Sequence, residues 1–111
     1  MNITRFESAP EYFPENHFGM RCVRLQGHEA GESTSLWLGV STIEPGGHTT
    51  LSASALEKHY VVLSGELTVE TETGSEVLRA NDSCRLAPGE ARALKNLSAS
   101  PVAVLLAMPL A

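Results

Sequence analysis

The 111-residue sequence predicts an all-β domain. Short runs rich in β-branched and apolar residues recur along the chain, several of them alternating apolar with polar. Turn-forming groups separate these runs at nearly regular intervals: Pro45-Gly46-Gly47, Ser64-Gly65, Thr73-Gly74, Asn81-Asp82 and Pro88-Gly89. About eight short strands spaced in this way are the signature of a sandwich or barrel. No repeat, linker or low-complexity segment interrupts the pattern, so residues 1–111 are expected to form one domain.

Taken in order, residues 1–17 read as an irregular arm, rich in proline, glutamate and aromatics, with Phe6, Tyr12 and Phe13 as its anchors on the body or on a partner subunit. Residues 18–26 read as a first strand and 27–31 as a turn. Residues 34–43 alternate, with Leu36, Leu38 and Val40 on one face and Trp37, Gly39, Ser41 and Ile43 on the other. Pro45-Gly46-Gly47 is expected to end that strand. Residues 57–69 read as a central hairpin reversing at Ser64-Gly65. In its first strand Lys58, Tyr60 and Val62 share one face and His59, Val61 and Leu63 the other. Both faces carry apolar bulk, so the strand is expected to be covered on both sides. Local propensity offers a rival, since Ser54-Ala55-Leu56-Glu57 matches a helix capping box. The run Tyr60-Val61-Val62-Leu63 decides for strand. Short strands follow at residues 76–79, 84–86, 91–97 and 102–108.

Composition narrows the function. A net charge of −5 argues against a nucleic-acid partner, because phosphate binding needs a basic face. No segment approaches the ~20 apolar residues that span a bilayer, so no membrane partner is expected. The first ten residues have no apolar run behind a basic start, so no signal peptide is expected. Cys22 and Cys84 lack a metal-type spacing and read as reduced thiols of a cytoplasmic protein.

Pro45-Gly46-Gly47, the run from Glu57 to Leu67, the run from Asn81 to Arg92 and Asn96 together resemble a small single-domain cupin. The resemblance covers residues 36–109, with a conserved-barrel core expected over 34–109. It implies a double-stranded β-helix, a jelly-roll barrel of two sheets around a pocket, and commonly a homodimer. The positions that match the family's metal ligands hold Ser52, Ser54, Lys58 and Arg92, and its glycine and proline positions hold Asn81 and Ala87. Serine is a poor ligand for divalent transition metals, and lysine and arginine are cations at neutral pH. The expectation is therefore a cupin with no metal and no cofactor.

The same alignment points Lys58 and Arg92 into the barrel. Two buried cations need an anion nearby. One reading is a small organic anion, a carboxylate-type metabolite, gripped by Arg92 as a fork and Lys58 as a point charge, with hydrogen bonds from Ser52 and Ser54. Lys58 and Tyr60 are then the candidate catalytic groups of an isomerase, lyase or hydrolase. The other reading is an internal ion pair to Glu44, Glu57 or Glu90 in a non-catalytic dimer with an accessory or sensing role. A third is a displaced metal site using His48 with His59 and Glu57; His59 has the wrong parity for the pocket. His17 and His28 read as exposed, and Trp37 as packing in the pocket wall or at a subunit contact. No histidine stands beside Ser52 or Ser54 for a serine-nucleophile triad.

Overall fold

The computed structural model describes residues 1–110. Nine strands are present: β1 (Glu11–Tyr12), β2 (His17–Gln26), β3 (Leu36–Thr49), β4 (Lys58–Ser64), β5 (Leu67–Thr71), β6 (Gly74–Leu78), β7 (Ser83–Leu86), β8 (Arg92–Lys95) and β9 (Val102–Pro109). All pairings are antiparallel, in the order β6-β5-β8-β3-β9-β4-β7, with β2 on the outer side of β3 and β1 on β2. The sheet rolls into a jelly-roll barrel, with β6 and β7 at the two ends of this path and β1 at the outer edge beyond β2. The helical alternative fails where expected: residues 55–57 are a bend and coil, and β4 begins at Lys58.

Three expectations are corrected. Pro45-Gly46-Gly47 does not end β3 but turns its corner. Before it, β3 pairs with β9 from Leu36↔Pro109 to Ile43↔Val102; after it, His48 pairs with Lys95 of β8. Opposite the corner, β2 skips from Phe18 to Met20 across Gly19, whose φ is +64°. A Cβ on Gly19 would come within 2.9 Å of Gly47 Cα, so the backbones meet where only glycine fits. Asn96, the residue after β8, clamps the corner: Gly46 N–H donates to its carbonyl and its own N–H donates to the Gly47 carbonyl.

Second, β4 and β5 are consecutive but do not form a hairpin. β4 pairs with β7 and β9, β5 with β6 and β8, and Ser64-Gly65 carries the chain between the two halves. A Cβ on Gly65 would lie 2.7 Å from the Pro101 carbonyl. The turn is therefore packed against the start of β9, not free to bring β5 beside β4.

Third, β4 is covered on one face only. Tyr60 and Val62 are buried in the barrel with Ile43, Leu67, Val69, Leu86, Leu94, Val102 and Val104. His59 and Leu63 on the outer face are exposed. The arm shields only part of the outer surface, where Ala9 packs with Val23 and Val40. The packed core fills one part of the barrel and leaves a small cavity at the other.

Candidate functional site

Strand alternation sends Lys58 and Tyr60 from β4 inward, and β8 sends Arg92 toward them. With Trp37, Ser41, Met20, Leu94, Leu106 and Met108 they line a cavity of about 120 Å³, which Tyr12, Pro14 and His17 complete from the arm and the start of β2. Arg92 is 4% exposed. Its Nε–H donates to the Tyr60 hydroxyl at 3.0 Å and its Nη1 to Ser52 Oγ at 3.3 Å. Ser52 is held there by two backbone hydrogen bonds to Arg92, at 3.0 and 2.9 Å. The Nη2 group has no protein partner, yet among the described residues no sealed side-chain nitrogen lacks one. That group thus keeps accessible surface, on a side chain that lines the cavity.

No carboxylate stands within ion-pair distance of Lys58 or Arg92 among the described residues. The internal ion pair expected as an alternative is absent there. Glu57 is taken by Arg85 and by His59 at 3.7 Å on the outside, and Glu90 accepts the Ala87 amide at 3.0 Å. Burial foremost, and then the neighbouring guanidinium, holds the Lys58 ammonium down at about 8. Burial also raises the Tyr60 phenol, against the pull of Arg92.

The aromatic wall contrasts with this. Arg24 lies over Tyr12 at 3.6 Å and Trp37 at 4.2 Å and reaches Glu29 at 3.4 Å, so that cation is fully accounted for. Trp37 sits in the pocket wall, as one of its two expected placements has it.

Ser54 is not brought to the cavity. Its hydroxyl accepts the Leu56 amide at 3.1 Å and shapes the bend before β4. His17, expected to be exposed, is half-buried and lines the cavity. Its Nδ1 lies 2.6 Å from the Glu15 carbonyl, which can only accept, so the ring proton sits on Nδ1 and the lone pair on Nε2. Burial lowers its pKa below 6.5, and so do Arg92 and Lys58. Tyr12, Pro14 and His17 are the site residues that sequence reading missed. The available signal was aromatic and histidine side chains in an otherwise polar arm.

The displaced metal site does not assemble. His48 stacks on Phe18 with centroids 5.1 Å apart, while His59 and Glu57 pair on the outer face. Among the described residues no three His, Cys, Asp or Glu side chains converge as a metal site. A larger open cleft of about 580 Å³ separates the edges β6 and β7, with Thr71, Ser75, Glu76, Ser83, Arg85 and Glu90 among its walls. It contains neither Lys58 nor Arg92.

No protein-family model matches the chain. It is 41% identical over 96 residues to a protein named beta-D-galactosidase Rv1717 from Mycobacterium tuberculosis (strain ATCC 25618 / H37Rv), covering 86% of this chain and 83% of that one, and belongs to the same family. Among solved structures it superposes on an RmlC-like cupin from Shewanella frigidimarina with a TM-score of 0.80, at 16% identity over 100% of this chain and 92% of that one. The chain has the cupin fold. Other similar folds are the polyketide cyclase RemF of Streptomyces resistomycificus (TM-score 0.87, 15% identity, 98% and 79% covered) and a predicted oxalate decarboxylase of Thermotoga maritima (TM-score 0.82, 19% identity, 100% of each).

Cupin metal sites need several neutral or anionic donors, and among the described residues His17 is the one imidazole or carboxylate in this cavity's wall. Arg92, at the last ligand position, is a buried guanidinium already engaged with Tyr60 and Ser52. Lys58 projects a second cation into the same space. A divalent ion placed between them would be repelled by both. No helix among the described residues is long and apolar enough to cross a membrane.

Proposed function

We propose that this cupin binds a small organic anion, without a metal, between Lys58 and Arg92. One observation carries the reading: a buried guanidinium and a half-buried lysine share a cavity with no carboxylate to neutralise them. Uncompensated charges of one sign are costly inside a protein, and a ligand carboxylate removes that cost. Arg92 offers a free Nη2 edge, Lys58 a point charge, and Ser52 and Tyr60 hold the fork in place. The cavity lies below the roughly 300–1,000 Å³ of clefts that take drug-sized ligands, which favours an acid of a few carbons. Isomerisation, lyase chemistry such as decarboxylation, or hydrolysis of such an acid would suit Lys58 and Tyr60 as acid–base groups. The reduced thiols of Cys22 and Cys84 fit a cytoplasmic setting.

The test is a thermal-shift screen of short mono- and dicarboxylates, followed by calorimetry on variants. Lys58→Met and Arg92→Met should each weaken the best acid by about 2–4 kcal/mol. A screen in which no acid raises the melting temperature counts for the non-catalytic accessory or sensing module instead.

A second reading follows from the 41% relative, whose name assigns it hydrolysis of β-galactosides. Most glycosidases work with a pair of carboxylates, and the cavity wall has none. Glu76 and Glu90 lie instead along the open cleft. Hydrolysis of a chromogenic β-galactoside, lost in Glu76→Gln or Glu90→Gln but kept in Arg92→Met, would support this reading over the first.

A further inference from the structure

We propose that Lys58 condenses with the carbonyl carbon of a short 2-oxo acid, forming an imine while Arg92 holds the acid's carboxylate. This rests on the anion-pocket reading and names its substrate class. Imine formation needs a free amine near neutral pH, a carboxylate clamp at the adjoining carbon and a proton donor for the carbonyl oxygen. The cavity brings these three together. Lys58 has no carboxylate to hold it as an ammonium, and burial beside Arg92 lowers it to about 8. Arg92 has its Nη2 edge unclaimed. The Tyr60 oxygen already accepts from Arg92, so its own proton is free to be donated.

The steps balance without an oxidant or reductant. The neutral amine of Lys58 attacks the carbonyl carbon, and the C=O π pair moves to oxygen, which takes a proton from Tyr60. The nitrogen, now cationic, gives one proton to His17, which is neutral, bears its lone pair on Nε2 and lines the same cavity. The neutral carbinolamine then expels its hydroxyl, which leaves as water with the proton returned by His17, while the nitrogen lone pair forms C=N. The remaining N–H proton of the iminium returns to the Tyr60 phenolate.

The chain has only two lysines, which makes the experiment clean. Lys95 is paired with Glu70 at 2.9 Å and lies outside the cavity, so it serves as an internal control. The protein is incubated with pyruvate and sodium cyanoborohydride, which delivers hydride to an imine and fixes it as a secondary amine. Peptide mass mapping then locates the added carboxyethyl group. Lys58 should be labelled about tenfold faster than Lys95 or the α-amino group, and Arg92→Met should slow Lys58 labelling about tenfold without changing Lys95. Lys58→Arg should abolish the cavity adduct, and the native protein should bind lactate, the same acid with a hydroxyl for its carbonyl. Equal labelling of Lys58 and Lys95 overturns the proposal, and indifference to Arg92→Met overturns the carboxylate clamp. Lactate and pyruvate binding with no adduct at Lys58 overturns the imine alone and leaves the anion pocket standing. Absence of both binding and adduct overturns both.

Discussion

At the scale of the residue, Lys58 has a pH signature opposite to that of an ordinary salt-bridged lysine. Its folded value of about 8 lies below its unfolded 10.5. Between those values the unfolded chain binds more protons, so the empty protein should gain stability as pH rises from about 8 to 10.5. Lys58→Met should erase that rise and leave the neutral-pH urea midpoint unchanged or higher, since a desolvation cost disappears with the charge. Anion affinity runs the other way, weakening above about 8 as the ammonium is lost. His17 is also lowered, from 6.5, by burial first, so acidification below 6.5 should destabilise the folded state through this ring. His17→Gln should flatten that acid limb in urea titrations. Strand parity grouped the lysine with Tyr60 and Val62, and the resemblance to a cupin said that this face turns inward. The histidine was not legible, because an irregular arm has no period from which to read a face.

At the scale of the element, Asn96 joins the two halves of the barrel. Its side chain is wholly buried. The amide donates to the carbonyls of Ile43 at 2.9 Å and Ser100 at 2.8 Å, and its oxygen accepts from Ser98 N–H at 3.0 Å. Asn96→Ala strands these groups at the corner of β3 and should cost about 2–3 kcal/mol in chemical denaturation. The left-handed Asn81, at φ +74°, shows why a departure from the family glycine is tolerated, since asparagine adopts that conformation readily. Strand positions were legible because alternation and turn residues are local signals. The partners were not. Ser64-Gly65 has the chemistry of a hairpin turn, but Gly65 packs against Pro101 and Val102, and β4 and β5 each pair with other strands. Likewise Pro45-Gly46-Gly47 reads as a terminator until Asn96, the residue after β8, continues its hydrogen bonding.

At the scale of the whole molecule, the open outer face of β4 argues for self-association. Leu63 is 46% exposed, and Val61 on the same face is half-buried, paired with Leu105 of β9, which packs against the Ala9 cluster. We expect a homodimer by light scattering at low micromolar concentration, converted to monomer by Leu63→Glu with little change in secondary structure. A clean monomer mass for the native chain would defeat this. The arm contributes Tyr12 and Pro14 to the cavity wall. Two residue pairs, Glu11↔Val23 and Tyr12↔Cys22, with the Arg24 amide to the Pro10 carbonyl at 2.8 Å, fasten it over the cavity. So short a ladder opens at far less cost than the barrel does. A molecule admitted by that route waits on the arm's own clock. In stopped flow its observed binding rate should therefore stop climbing at high concentration, and the plateau would be the opening rate of β1.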